Sequence, residues 1–215
     1  TRILDDHIDI EVLNTVEESQ EWFDRELWEK FASSGLTGAT LKEDVGGAGL
    51  DIIALVCLLR SHGQHVAPIP LLPTLVSSMT VDKFGTDTQR NSLLPGVATG
   101  SQLMTFAVQE LLNDKFMKPT TSHENGVLTG KKIVVEYANL ANSVLVTAMD
   151  GNEPATFVVD LKDPSITMEP NNSTRGEPLW DLSFNSTPCE KLGGEESVSW
   201  LFQILLVSLC ATQLG

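Results

Sequence analysis

The spacing of apolar residues changes twice along this chain of 215 residues, and those two changes constrain the fold more than any single motif. Up to about residue 100 the apolar positions recur with a helical period. Leu27, Trp28 and Phe31 share one face, with Asp24 placed to cap the helix and Ser33-Ser34-Gly35 to stop it. Between Leu50 and His65, Ile52, Val56 and Leu59 line up beside Ile53, Cys57 and Leu58, a stripe wide enough for burial on more than one side. Pro68, Pro70 and Pro73 are expected to break the chain before a helix resumes over Leu75 to Phe84. Gly85-Thr86-Asp87 then opens a short helix that ends at Leu94-Pro95-Gly96.

From about Leu103 to Gly193 the period shortens. Met104 to Val108, Gly130 to Tyr137, Ser143 to Ala148 and Thr156 to Asp160 are β-branched-rich runs separated by turn residues such as Asn125-Gly126 and Asp150-Gly151-Asn152. From Ser197 to Leu214 the helical period returns, with Val198, Leu201, Phe202, Leu205, Leu206 and Leu209 in register. The expected fold class is therefore α+β: an all-α domain over residues 1–102, a small antiparallel sheet or barrel over 103–193, and a further helix over 194–215. The last helix is read as a core helix awaiting packing partners. A membrane anchor is disfavoured, because Gln203 and Ser208 interrupt its apolar run and no Lys or Arg flanks its end.

Charge excludes several functions. With 14 Lys and Arg against 29 Asp and Glu, the net charge is −15. No basic run is available to neutralise a series of phosphates, which argues against nucleic acid and against an anionic membrane surface. Cys57, Cys189 and Cys210 are odd in number and widely spaced, which points away from a disulfide framework and toward a reducing, cytoplasmic location. The sequons at Asn171-Asn172-Ser173-Thr174 and Asn185-Ser186-Thr187 carry little weight without a secretion signal.

Single motifs are weaker. Gly46-Gly47-Ala48-Gly49 lacks the Lys-Ser/Thr ending of a P-loop and reads as a flexible turn before a helix. His62 and His65 lack further metal ligands nearby and are expected at a helix C-terminus, where a cation is favoured. Lys131-Lys132 reads as a solvated pair on a strand edge. No Gly-x-Ser-x-Gly elbow supports a hydrolase.

The order of these segments is more specific than any one of them. Leu27-Trp28-Glu29-Lys30-Phe31-Ala32-Ser33-Ser34-Gly35-Leu36-Thr37-Gly38 runs into Leu41-Lys42-Glu43-Asp44-Val45-Gly46-Gly47-Ala48-Gly49-Leu50. Gly63 to Pro70, Phe84 to Arg90, Leu94 to Gly100, Phe106 to Glu110, Leu128 to Lys132 and Ser143 to Ala148 follow. In this order they resemble the acyl-CoA dehydrogenase family. The resemblance implies a helical domain over 1–102, a β-barrel over 103–193 and a C-terminal helical bundle of which 194–215 is the first helix, in a homo- or hetero-oligomer, with this chain as the front portion of a longer one. It also implies FAD as cofactor and an acyl-CoA as substrate, desaturated between its α and β carbons.

The same resemblance places the flavin against Phe106, Val108 and Gln109 after the first strand, and against Val134, Val135 and Glu136 after the Gly-x-Lys turn. At both places this chain departs from the family. Where members carry Thr-Glu-Pro-Gly-x-Gly-Ser-Asp, it has Gln109-Glu110-Leu111-Leu112-Asn113-Asp114-Lys115-Phe116. Where members carry Trp-Ile-Thr/Ser, it has Val134-Val135-Glu136. The family's catalytic Glu lies in the C-terminal domain, and Trp200 to Gln213 contains no acid, so no catalytic residue is nominated. A flavin-poor partner in a heteromeric enzyme and a non-enzymatic scaffold of the same fold are the alternative readings.

Overall fold

The computed structural model describes residues 2–19, 21–171, 173 and 177–215. Asn172 and Thr174 of the first sequon lie outside the described residues. Among the described residues six α-helices precede the sheet: α1 (Arg2–His7), α2 (Ile10–Glu18), α3 (Arg25–Ser33), α4 (Ile52–Gln64), α5 (Leu71–Phe84) and α6 (Asp87–Ala98). Capping sets several of their starts. Asp24 accepts from the Leu27 amide at 2.9 Å, Asp51 accepts from those of Ile53 and Ala54, and Thr86 with Gln89 forms a capping box on α6.

Two prolines behave differently from the expectation. Helix α5 begins at Leu71, so Pro73 sits in its first turn, where no amide donor is required. Helix α6 runs through Pro95 to Ala98. The carbonyl that loses its donor there belongs to Asn91, an exposed residue that water reaches. The glycine run at 46–49 is a packed turn with Gly46 at φ 88°. A Cβ on Gly47 would lie 2.0 Å from the Leu41 carbonyl oxygen.

The sheet holds β1 (Met104–Ala107), β2 (Ser122–Glu124), β3 (Val127–Glu136), β4 (Ser143–Asp150), β5 (Glu153–Asp160), β6 (Ile166–Asn171), β7 (Leu179–Pro188) and β8 (Glu190–Gly193). Its order is β6-β7-β3-β2-β4-β5-β8, with β1 paired to β4. The sheet is mixed rather than wholly antiparallel, because β1 and β2 both run parallel to β4. Residues 108–142 connect β1 to β4 and residues 125–142, which carry β3, connect β2 to β4, and connections of that length permit parallel pairing. Among the described residues β6 and β8 are the outer strands of the pairing order.

Helix α7 (Glu195–Gln213) returns to the helical layer and packs on α4 and α5. Leu201 and Ile204 share one core with Leu27, Phe31, Leu55, Leu59, Leu71 and Leu75. Leu128, Val144, Val146, Phe157, Leu182 and Phe184 form the core of the sheet. Leu41, Val81, Leu94, Met104 and Leu145 seal the seam between the layers. Among the described residues no helix is long and apolar enough to cross a membrane, and the three cysteines are free.

Candidate functional site

Strand β1 ends against β3, and the segment that follows is pinned there by one carboxylate. Glu110 Oε1 accepts from Lys132 Nζ at 2.7 Å, the Thr121 amide at 2.9 Å and Thr121 Oγ1 at 2.8 Å. Its Oε2 accepts from the Thr120 amide at 2.6 Å, Thr120 Oγ1 at 2.7 Å and Asn113 Nδ2 at 2.9 Å. Lys132 Nζ also donates to Thr147 Oγ1 at 3.2 Å. Burial resists ionisation of Glu110, but the hydrogen bonds from Lys132, Thr120 and Thr121 outweigh it and hold the carboxyl well below the usual range. Burial pulls the Lys132 ammonium down, and Glu110 opposes that pull, so the two stand as an ion pair. Gly130, at φ 151°, makes the approach possible, since a Cβ there would lie 2.7 Å from Thr121 Cα.

Above this clamp, Val108, Gln109, Asn113, Phe116, Pro119 and Ile133 surround a cavity of ≈300 Å³. The Phe116 ring meets that of Phe202 on α7, with centroids 3.8 Å apart, so the loop bridges the sheet and the helical layer. Leu111 and Leu112 point to solvent at 73% and 99% exposure, and Leu112 holds φ 58°.

On β3 a bulge between Lys132 and Val135 turns the strand. Val134 sits in it at φ 58°, unusual for a β-branched residue, and its amide donates to Asp181 at 3.3 Å. Val135 points into the sheet core. Glu136 and Tyr137 reach a second cavity of ≈350 Å³, walled by Ile69, Leu72 and Leu209 of the helical layer. Burial, then the carboxylates of Glu136 and Glu177, push the Tyr137 hydroxyl up. His62 lines this cavity in the last turn of α4, where burial lowers the pKa of its imidazole. His65, the C-cap of the same helix, lies 2.8 Å from the Asp5 carboxylate, so the two histidines sit at the helix C-terminus as expected but in different surroundings.

The six sequence-nominated residues are thus spread over several environments. Val108 and Gln109 line the first cavity, where Ile133 stands beside them instead of the 134–136 triplet. Glu136 lines the second, Phe106 is packed between the core of the helical layer and the seam, Val134 is exposed and Val135 is buried. Glu110, Lys132, Phe116 and Phe202 were not nominated. The aligned Glu of the loop motif and Lys of the Gly-x-Lys turn were the signal for the first two. Lys132 is 0% exposed, against the solvated edge expected of it, because it finds its counter-ion 22 residues earlier.

A Cys189, His123 and Asp150 grouping on the far edge of the sheet is not nucleophilic. His123 Nε2 already accepts from the Gly126 amide, and burial and then Asp150 push the Cys189 thiol up to about 11. Among the described residues no three His, Cys, Asp or Glu side chains are grouped to hold a metal.

Residues 2–101 match the family described as acyl-CoA dehydrogenase, N-terminal domain. Acyl-CoA dehydrogenase FadE27 of Mycobacterium tuberculosis is 25% identical over 200 residues, covering 91% of this chain and 54% of that protein. FadE28 of the same organism is 34% identical over 122 residues, covering 56% of this chain and 36% of that protein. The chain spans about half the length of curated relatives such as FadE27, 54% in that case. Among solved structures, a variant of the Tcur3481-Tcur3483 steroid ACAD superposes with a TM-score of 0.95 at 35% identity, over 100% of this chain and 60% of that one. Butyryl-CoA dehydrogenase from Megasphaera elsdenii shares the fold, with a TM-score of 0.82 at 19% identity over 98% of this chain and 63% of that one. With the ordered motifs, the layered architecture and these likenesses in agreement, the chain belongs to the acyl-CoA dehydrogenase family.

Proposed function

We propose that this chain is a subunit of an FAD-dependent acyl-CoA dehydrogenase, an oligomeric oxidoreductase that desaturates an acyl-CoA thioester between its α and β carbons. The observation that carries this reading is the full-length superposition at 35% identity on a structure named as an ACAD. That name also includes the word steroid, which supports a bulky, ring-bearing acyl group over a straight fatty chain. Three free cysteines support a reducing, cytoplasmic setting. The division into residues 1–102, 103–193 and 194–215 follows the family's domain plan.

The reaction needs a base for the α-proton and hydrogen-bond donors that polarise the thioester carbonyl. After Glu195 and Glu196 in its first turn, α7 carries no acid, so no carboxylate stands where the resemblance puts a base on that helix. We therefore assign the base to another part of the assembled enzyme. The reading is tested by purifying the full-length protein with its natural partners and offering steroid side-chain and palmitoyl thioesters with an artificial electron acceptor. Turnover that depends on this subunit, faster with the ring-bearing thioester, is expected. Absence of turnover with every acyl-CoA would leave the scaffold reading standing instead.

A further inference from the structure

A flavin needs two things from the segment after β1: backbone amides free to meet its pyrophosphate, and room for its ring against β3. In this chain no residue from 101 to 125 is glycine, so every position of the excursion between β1 and β2 carries a side chain. The space beside Ile133 on β3 is a cavity of ≈300 Å³ that Phe116 helps to line. Several amides that could form a cradle are already engaged. Asn113 N donates to the Glu110 carbonyl and Lys118 N to that of Lys115. Lys115 N donates to Asn113 Oδ1, and Thr120 N and Thr121 N donate to the Glu110 carboxylate. On β3, Ile133 N is taken by the Gln109 carbonyl and Val134 N by Asp181.

Charge and sterics act in the same direction. Asp114 brings a carboxylate to a place where a pyrophosphate would need cations, and Glu136 brings another to the position that the resemblance gives to a hydroxyl. Phe116 spans the cleft to Phe202 and closes it from the α7 side. Leu112 keeps the left-handed backbone, φ 58°, at the position of the family's first loop glycine.

We infer that the cleft between residues 110–119, β3 and α7 is closed to a flavin in this chain, that Phe116 and the glycine-free loop around it close it, and that the enzyme's flavin is held by a different subunit. The second half rests on the proposed function; the closure does not.

The test is a flavin count on the full-length protein co-purified with its natural partner, by absorbance after denaturation. One flavin per two subunits is expected, with none on this chain when it is purified alone. Free FAD titrated into this chain should keep its full fluorescence. A loop variant combining Leu111→Pro, Leu112→Gly, Asp114→Gly, Lys115→Ser and Phe116→Asp should raise the count toward one flavin per subunit. One flavin per subunit in the wild-type complex overturns the inference. A folded loop variant that binds no additional flavin overturns the assignment of the loop as the closing element. If that variant does not fold, the wild-type count still decides the main claim. Flavin counts test the closure and acyl-CoA turnover tests the proposed function, so each can fail without the other.

Discussion

The carboxylate of Glu110 and the ammonium of Lys132 lie 2.7 Å apart, with side-chain exposures of 3% and 0%. Removing one member leaves the other charged and out of water, a situation that costs about 3–5 kcal/mol in comparable buried pairs. Lys132→Met is therefore expected to lower unfolding stability by about that amount in urea titrations. The double variant Glu110→Gln/Lys132→Met should recover a substantial part of the loss, because neither charge is then stranded. A loss below about 1 kcal/mol for Lys132→Met would show that the pair is not buried as described.

The same pair makes an acid-dependent prediction. The folded-state pKa of Glu110 is depressed, so the unfolded chain takes up a proton below about pH 4.3 that the folded chain refuses. The stabilisation is complete above that value and drains as pH falls below it. Between about pH 5 and pH 3 the wild type should lose more stability than the Glu110→Gln/Lys132→Met double variant, as read from urea midpoints at each pH. Parallel pH profiles for the two proteins would contradict the assignment.

Helices α4 and α7 approach most closely at Gly63. A Cβ there would lie 1.9 Å from the Thr212 carbonyl oxygen, which is backbone and has no rotamer to yield. Gly63→Ala should force the helices apart and destabilise by about 1–3 kcal/mol, visible as a lower thermal midpoint. An unchanged midpoint would contradict close packing of Gly63 on the Thr212 backbone.

Leu112 is 99% exposed and holds φ 58°. Relief of about 1–2 kcal/mol of left-handed strain outweighs the added chain entropy of glycine, about 0.5–1 kcal/mol. Leu112→Gly should thus stabilise the isolated chain by roughly 0.5–1 kcal/mol, measured by denaturant unfolding. Destabilisation would show that Leu112 makes a contact that its exposure does not reveal.

Which parts of this structure were legible in the sequence follows from how local each signal is. The stripes of α3, α4 and α7 and the runs of β1, β3, β4 and β5 declare themselves within a few residues. The short β2 and β8 have too few residues to show a period, and the exposed β6 has no buried face to mark it. Pro73 and Pro95 read as breaks because the sequence does not show that one falls in a first turn and the other frees a carbonyl that water reaches. Lys132 reads as a surface lysine because its counter-ion is remote in sequence. His62 reads as a helix-terminal cation because its burial is contributed by segments distant along the chain. At the site, the departures at 111–116 and 134–136 were visible as letters. That several of the loop's amides are bonded within it, and that Phe116 reaches Phe202, required the tertiary structure.

The most direct measurement is the anaerobic bleaching of enzyme-bound flavin when acyl-CoA is added, followed in a rapid-mixing spectrophotometer. It should be made on the partner subunit alone and on the partner combined with this full-length chain. Rapid bleaching by a ring-bearing acyl-CoA only in the combined sample is the predicted result. Bleaching at the same rate and extent without this chain would contradict its place as a working subunit of an acyl-CoA dehydrogenase.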